Sequence, residues 1–313
     1  MTGFIGHDAP RAVIERALGG GRLAHGWLLA GPRGMGKAGF ATTFAAHIVD
    51  PDDRHSRLIA EGAHPDILRL EREIHPDRKE LRRNITIDQV RAMIGKLGRF
   101  PTLGATRAVI IDAADDLEWG AANALLKALE EPPSGTTFLL VAHSPARLLP
   151  TIRSRCRTLR FEPLDSDVMA AWLRERLTEL GERERAALAL LARGSPGRAL
   201  HYAGLGLGRV VELIERIACE GDADLSLRMA LADHVGRKEQ APLFEAALEL
   251  VVARIADGAR GRADDAVGPL VSAYAEATAL VGRAHGLTLD KTAVVIRLAD
   301  LLARVAPHKE RAA

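Results

Sequence analysis

At 313 residues the chain is long for one domain, and two or three are expected. Apolar residues make up 47% and aromatics only 4%, enough for a sizeable core of Leu, Ala, Val and Ile. Basic and acidic residues nearly balance at 43 and 41, which argues against a whole-chain nucleic-acid coat; two cysteines are too few for a disulfide framework or a four-cysteine zinc site. No apolar run approaches a membrane span, and the leading MTGFIGHDAPRAVIERAL lacks the basic head and apolar core of a signal peptide. A soluble, reduced, cytoplasmic protein with no membrane partner is expected.

In chain order, the first half alternates short β-rich runs with helical stretches, the pattern of a parallel sheet covered by helices on both faces. The expected strands are residues 25–30 (HGWLLA), 66–70 (DILRL), 107–112 (RAVIID), 137–142 (TFLLVA) and 157–161 (RTLRF). Between the third and fourth lies a helix over residues 118–131 (EWGAANALLKALEE), with Trp119, Ala122, Leu125, Leu126 and Leu129 on one stripe and Pro132-Pro133 as its stop. Residues 50–83 are the most polar stretch and are expected to contain an exposed loop. After FEPLD (161–165) the alternation ends. Two or three short helices are expected over 166–206, with a turn at Gly194-Ser195-Pro196-Gly197, then four or five helices and no strand from Arg209 onward.

Three groups of residues carry chemistry. GPRGMGKA (31–38) follows an apolar strand and opens a helical run, the context of a phosphate-binding loop. Gly31, Gly34 and Gly36 let backbone N–H groups turn onto phosphate oxygens, and Lys37 supplies a point charge. The next residue should be Ser or Thr, to hold Mg²⁺; here it is Ala38. RAVIID then supplies Asp112 to orient a metal, but Ala113 stands where a water-polarising carboxylate belongs. Asp115 and Asp116 are expected to start the following helix, where acidic residues suit the dipole. Two losses in one reaction suggest a retired hydrolysis site. Third is the arginine cluster RLLPTIRSRCRTLR (147–160), with Arg155 between a helical turn and a strand at a sheet edge. Spacing alone leaves a solvated basic face and an arginine aimed at a neighbour's nucleotide both open.

GPRGMGK, AADDLEWGAANALLKALEEPP, HSPARLLPTIRSRC and LARGSPGRAL together resemble the delta-prime subunits of the bacterial DNA polymerase III clamp loader. The resemblance is densest over residues 4–161. It implies an α/β AAA+ nucleotide-binding-like module (1–163), a small helical lid (164–207) and a helical collar (208–313) that holds a ring together. It further implies a rigid, non-hydrolysing stator with a degenerate site, whose Arg155 reaches in trans into the ATP of the adjacent subunit. Arg198, in GSPGRAL, takes the place of the lid arginine that contacts nucleotide, with a plain helix-surface role equally open. The implied partners are the gamma/tau ATPase and delta subunits, and, through the assembled complex, the sliding clamp and primer-template DNA.

Relatives often carry a four-cysteine zinc module after the first helix. Residues 50–83 have no cysteine, and His47, His55, His64 and His75 lack ligand spacing, so no zinc is expected. Retention of Lys37 and Asp112 leaves room for weak ATP or ADP binding. The alternative, an ATP-hydrolysing gamma/tau-type motor subunit, should have a hydroxyl at 38, an acid at 113 and the zinc cysteines. A small-molecule kinase would need intact Mg²⁺ ligation, and no recognition module supports a sequence-specific DNA-binding protein.

Overall fold

The computed structural model describes residues 5–21, 23–75, 79–236, 240–259, 267–286 and 290–306. The chain forms two compact units, Met1–Leu164 and Asp165–Ala313. The architecture is the expected α/β one, a parallel-sheet module followed by sequence that is helical throughout its regular elements.

All five expected strands form, each within one residue of its expected ends: β1 (Gly26–Ala30), β2 (Ile67–Glu71), β3 (Arg107–Asp112), β4 (Thr136–Ala142) and β5 (Arg157–Arg160). They pair in parallel in the order β2-β3-β4-β1-β5. Every residue of β1 and β4 is buried, as strands covered on both faces must be. One face of the sheet packs against Ile14 of α1 (Asp8–Gly19) and Phe40 and Phe44 of α2 (Lys37–Val49). The other packs against Val90 and Met93 of α4 (Ile87–Leu97), Leu125 and Leu129 of α5 (Trp119–Glu130), and Ile152 of α6 (Pro150–Arg155). Within the polar stretch a short α3 (Ser56–Ala60) forms, its entry fixed by Asp50 accepting from the Arg54 and His55 backbone N–H groups.

Two expectations need correction. Trp119 is not on the buried stripe of α5: it is 76% exposed, and Leu126 is only half-buried. The row facing the core is Ala121, Ala122, Leu125, Ala128 and Leu129, which puts small residues against the sheet and swings the first-turn tryptophan outward. Asp115 and Asp116 do not open a helix by their charge. They lie in a 3₁₀ turn, Ala114–Asp116, ahead of α5, and both are buried. Asp115 accepts from the backbone N–H groups of His143 and Ser144 at 2.9 and 3.1 Å, and Asp116 pairs with Arg72 at 3.2 Å. Asp115 thus ties the end of β3 to the end of β4, and Asp116 ties it to the residue that follows β2.

The second unit holds α7 (Ser166–Arg176), α8 (Glu182–Ala192), α9 (Pro196–Ala203), α10 (Gly208–Glu220), α11 (Ser226–Val235), α12 (Ala241–Ala259), α13 (Val267–Gly286) and α14 (Lys291–Arg304). The turn between α8 and α9 is made by Arg193 and Gly194, both at positive φ. A buried ion network joins α11, α14 and the connection that precedes α11. Arg228 of α11 donates through Nε to Asp222 Oδ2 at 2.8 Å and through Nη1 to Asp300 Oδ1 of α14 at 2.8 Å. Asp222, its side chain fully buried, also accepts from the Leu227 and Arg228 backbone N–H groups. Asp300 in turn pairs with Arg297 and Arg304.

Candidate functional site: the loop after β1

The phosphate-type loop occupies the corner between β1 and α2, at the carboxyl ends of the strands, where ligands bind in open parallel sheets. Gly34 and Gly36 have φ of 78° and 74°, the left-handed conformation such a loop needs. Gly31 is required for a different reason. A Cβ there would lie 2.1 Å from the Phe161 carbonyl oxygen, so the residue is small because β5 passes close by. His7 steadies the loop from below: its Nε2 lies 2.6 Å from the Met35 carbonyl oxygen, and its ring stands edge-on to Phe161.

Lys37 is 3% exposed, and it turns back on its own loop. Its Nζ donates to the Gly31 and Pro32 carbonyl oxygens at 2.6 and 2.5 Å. Burial pushes its pKa down to about 8, against the pull of Asp115 and Asp112. The folded lysine therefore binds fewer protons than the unfolded one between about pH 8 and 10.5, and its contribution to stability rises with pH across that window. Cys156 acts in the opposite sense, because burial raises its thiol from 9.0 to about 11, so the comparison must isolate the lysine. The expected result is that Lys37→Met flattens the wild-type rise, read as the difference in melting temperature between the two proteins from pH 8 to 10.5.

The structure brings Asp112 and His143 to the same corner, at the ends of β3 and β4. Asp112 Oδ2 lies 4.0 Å from Arg69 Nη1 on β2, so the charge facing the would-be metal-orienting carboxylate is a guanidinium. Arg69 also donates to the Thr42 hydroxyl at 2.6 Å, and that hydroxyl donates to the Ala38 carbonyl at 3.0 Å. The hydroxyl nearest in sequence to position 38 on the helix side is thus engaged and does not replace the missing ligand. Ala113 is buried and brings no carboxylate. The residues present do not fit a magnesium–nucleotide complex.

Sequence reasoning missed Arg69 and His143. Arg69 could have been suspected from parallel pairing of β2 with β3, which sets Glu71 opposite Asp112 and Arg69 one pleat earlier on the same face. His143 follows directly on an apolar strand, the position that faces a ligand crevice. Burial lowers its pKa, with the Lys37 charge adding to that and Asp115 opposing it, so the ring is neutral near pH 7.

Arg155 lies elsewhere. It ends α6 just before β5, the edge strand, and its carbonyl oxygen would stand 3.1 Å from a Cβ at Gly26, the first residue of β1. The loop begins after Ala30, at the other end of the same strand. A parallel strand rises about 3.3 Å per residue, so roughly 15 Å separates them along β1. Arg155 and Lys37 do not share a site within one chain. Arg198, on α9 of the second unit, lies over the Tyr202 ring at 5.7 Å and 3.9 Å from Glu249 of α12.

His55 sits 3.4 Å from Asp50, and its ring stands edge-on to that of His64. Among the described residues, no group of three or more His, Cys, Asp or Glu is placed to hold a metal, and no helix is long and apolar enough to cross a membrane.

Residues 6–165 match a family model described as "DNA polymerase III, delta subunit". A DNA polymerase III subunit delta' of Pseudomonas aeruginosa is 35% identical over 213 residues, 63% of this chain and 63% of the relative. The delta' subunit of Escherichia coli is 40% identical over 147 residues, 47% of this chain and 42% of the relative. The matched stretches thus cover less than two thirds of these relatives' own length. The tau subunit of Escherichia coli is 26% identical over 96% of this chain and 43% of its own.

Proposed function

The chain belongs to the DNA polymerase III delta-subunit family, and from that premise we propose that it is the delta-prime component of a bacterial clamp loader, a ring member that does not itself hydrolyse ATP. Its catalytic contribution is Arg155, offered to the nucleotide of an adjacent gamma/tau-type ATPase. The observation that carries this reading is the position of Arg155 at the opposite end of β1 from the chain's own loop. An arginine placed there serves a nucleotide on another subunit or none. A guanidinium supplied in trans stabilises the charge that develops on a transferred phosphoryl group.

The other half of the reading is the loss of chemistry at this chain's own loop. Ala38 and Ala113 supply neither a metal ligand nor a base, and Arg69 supports the same conclusion from a third direction. ATP or ADP binding, where it occurs, is through the loop's backbone N–H groups and is weak, because a phosphate must displace the Lys37 bonds to Gly31 and Pro32. In the second unit, Arg198 serves helix packing through Tyr202 and Glu249, and the helices from α10 onward serve assembly with the ATPase and delta subunits. The clamp and primer-template DNA are partners of the complex.

The test is co-purification with the other loader subunits, followed by ATPase assay with and without this chain. Joining the complex, raising its ATPase and showing no turnover alone is the expected result. Steady turnover by the isolated chain would favour the motor-subunit reading, for which the similarity to tau is the one supporting observation.

A further inference from the structure

Glu130 ends α5 and is followed by Glu131 and two prolines. A carboxylate in the last turn of a helix faces the negative end of the dipole, which is locally unfavourable by about 0.3–1 kcal/mol. Some other interaction must offset it. Glu130 Oε1 lies 2.6 Å from Arg155 Nη2, and the same guanidinium donates through Nη1 to the Thr151 carbonyl oxygen at 2.9 Å. The Arg155 backbone is itself fixed, because its carbonyl lies against Gly26 and the following Cys156 starts the turn into β5.

We propose that Glu130 is a positioning residue for Arg155: with the Thr151 carbonyl it fixes the guanidinium in one orientation and leaves its other N–H groups free to meet a neighbour's phosphate. The inference rests on the trans-acting role of Arg155 and names what prepares it. An arginine carries five N–H donors in a planar fork. Two are used here, one on each terminal nitrogen, and three are left. The side chain is 34% exposed, so those donors have access to solvent and to a partner. Holding a long side chain in place before the reaction removes ordering entropy from the barrier. As a pair between half-exposed groups, Glu130–Arg155 is worth only about 0–1 kcal/mol to folding, so what it contributes is geometry rather than stability.

The test uses the reconstituted ATPase complex with E130A, E130Q, R155A and the double variant E130A/R155A. With E130A, kcat should fall roughly tenfold, while KM for ATP and complex assembly stay as in wild type. E130Q keeps an acceptor oxygen and should hold kcat within about twofold of wild type. In the R155A background E130A should have no further effect, because Glu130 acts only through Arg155. A kcat unchanged by E130A while R155A is impaired overturns the positioning role and leaves the trans-arginine reading standing. An equal loss from E130A with and without Arg155 also overturns it, since a merely structural effect on the end of α5 behaves that way. Full activity of R155A removes both.

Discussion

Replacing Arg155 with alanine should lower the ATPase rate of the assembled complex by roughly 10³-fold, the lower end of what a trans-acting arginine contributes to phosphoryl transfer. The isolated variant should fold as wild type does, because the change removes one half-exposed ion pair and one bond to the Thr151 carbonyl. Arg155→Lys keeps a positive charge but loses the fork that reaches two oxygens at once, and should recover only a small part of the rate. Steady-state kinetics on complexes of verified composition provide the measurement. A variant complex within twofold of wild type would leave the arginine as surface charge and the role in trans without support.

The second large effect is on stability and lies in the helical unit. Arg228→Ala should lower unfolding free energy by about 3–5 kcal/mol, because it strands the buried Asp222 carboxylate and takes a partner from Asp300. Two backbone N–H bonds to Asp222 survive the change, which places the result toward the lower end of that range. Denaturant unfolding followed by helical circular dichroism reads it directly. A loss under 1 kcal/mol would mean that water enters and solvates the pair freely. On the assembly role proposed for this unit, the same variant should dissociate from the complex at subunit concentrations where the wild type stays assembled.

The sheet was legible because strands buried on both faces are unbroken apolar runs, and RAVIID and TFLLVA have no other economical use. The late helices were legible from their apolar spacing, which needs no tertiary knowledge. Trp119 was misplaced because a helical wheel assigns large apolar residues to the core, whereas the α5 face against the sheet has room for alanines. The helix α4 was passed over although Thr86 and Gln89 form a capping box, a signal present in the sequence. The loop itself was readable as glycines plus lysine. What could not be read is the direction of side chains: Lys37 onto its own carbonyls, Arg69 toward Asp112, Asp115 toward the end of β4. These depend on which strands lie side by side, and pairing between β2 and β3 or β3 and β4 is a product of the whole fold.

Arg69 beside Asp112 also sets how reversible the state of this loop is. A serine at position 38 would return one ligand, yet the guanidinium would still neutralise the carboxylate meant to orient the ion. An acid at 113 would place a charge in a buried position with no metal to answer it. Each repair is useless or harmful until the others are present, so no single step toward an active nucleotide site is rewarded. On the proposed non-hydrolysing role, this interdependence would act as a one-way valve against gaining a motor.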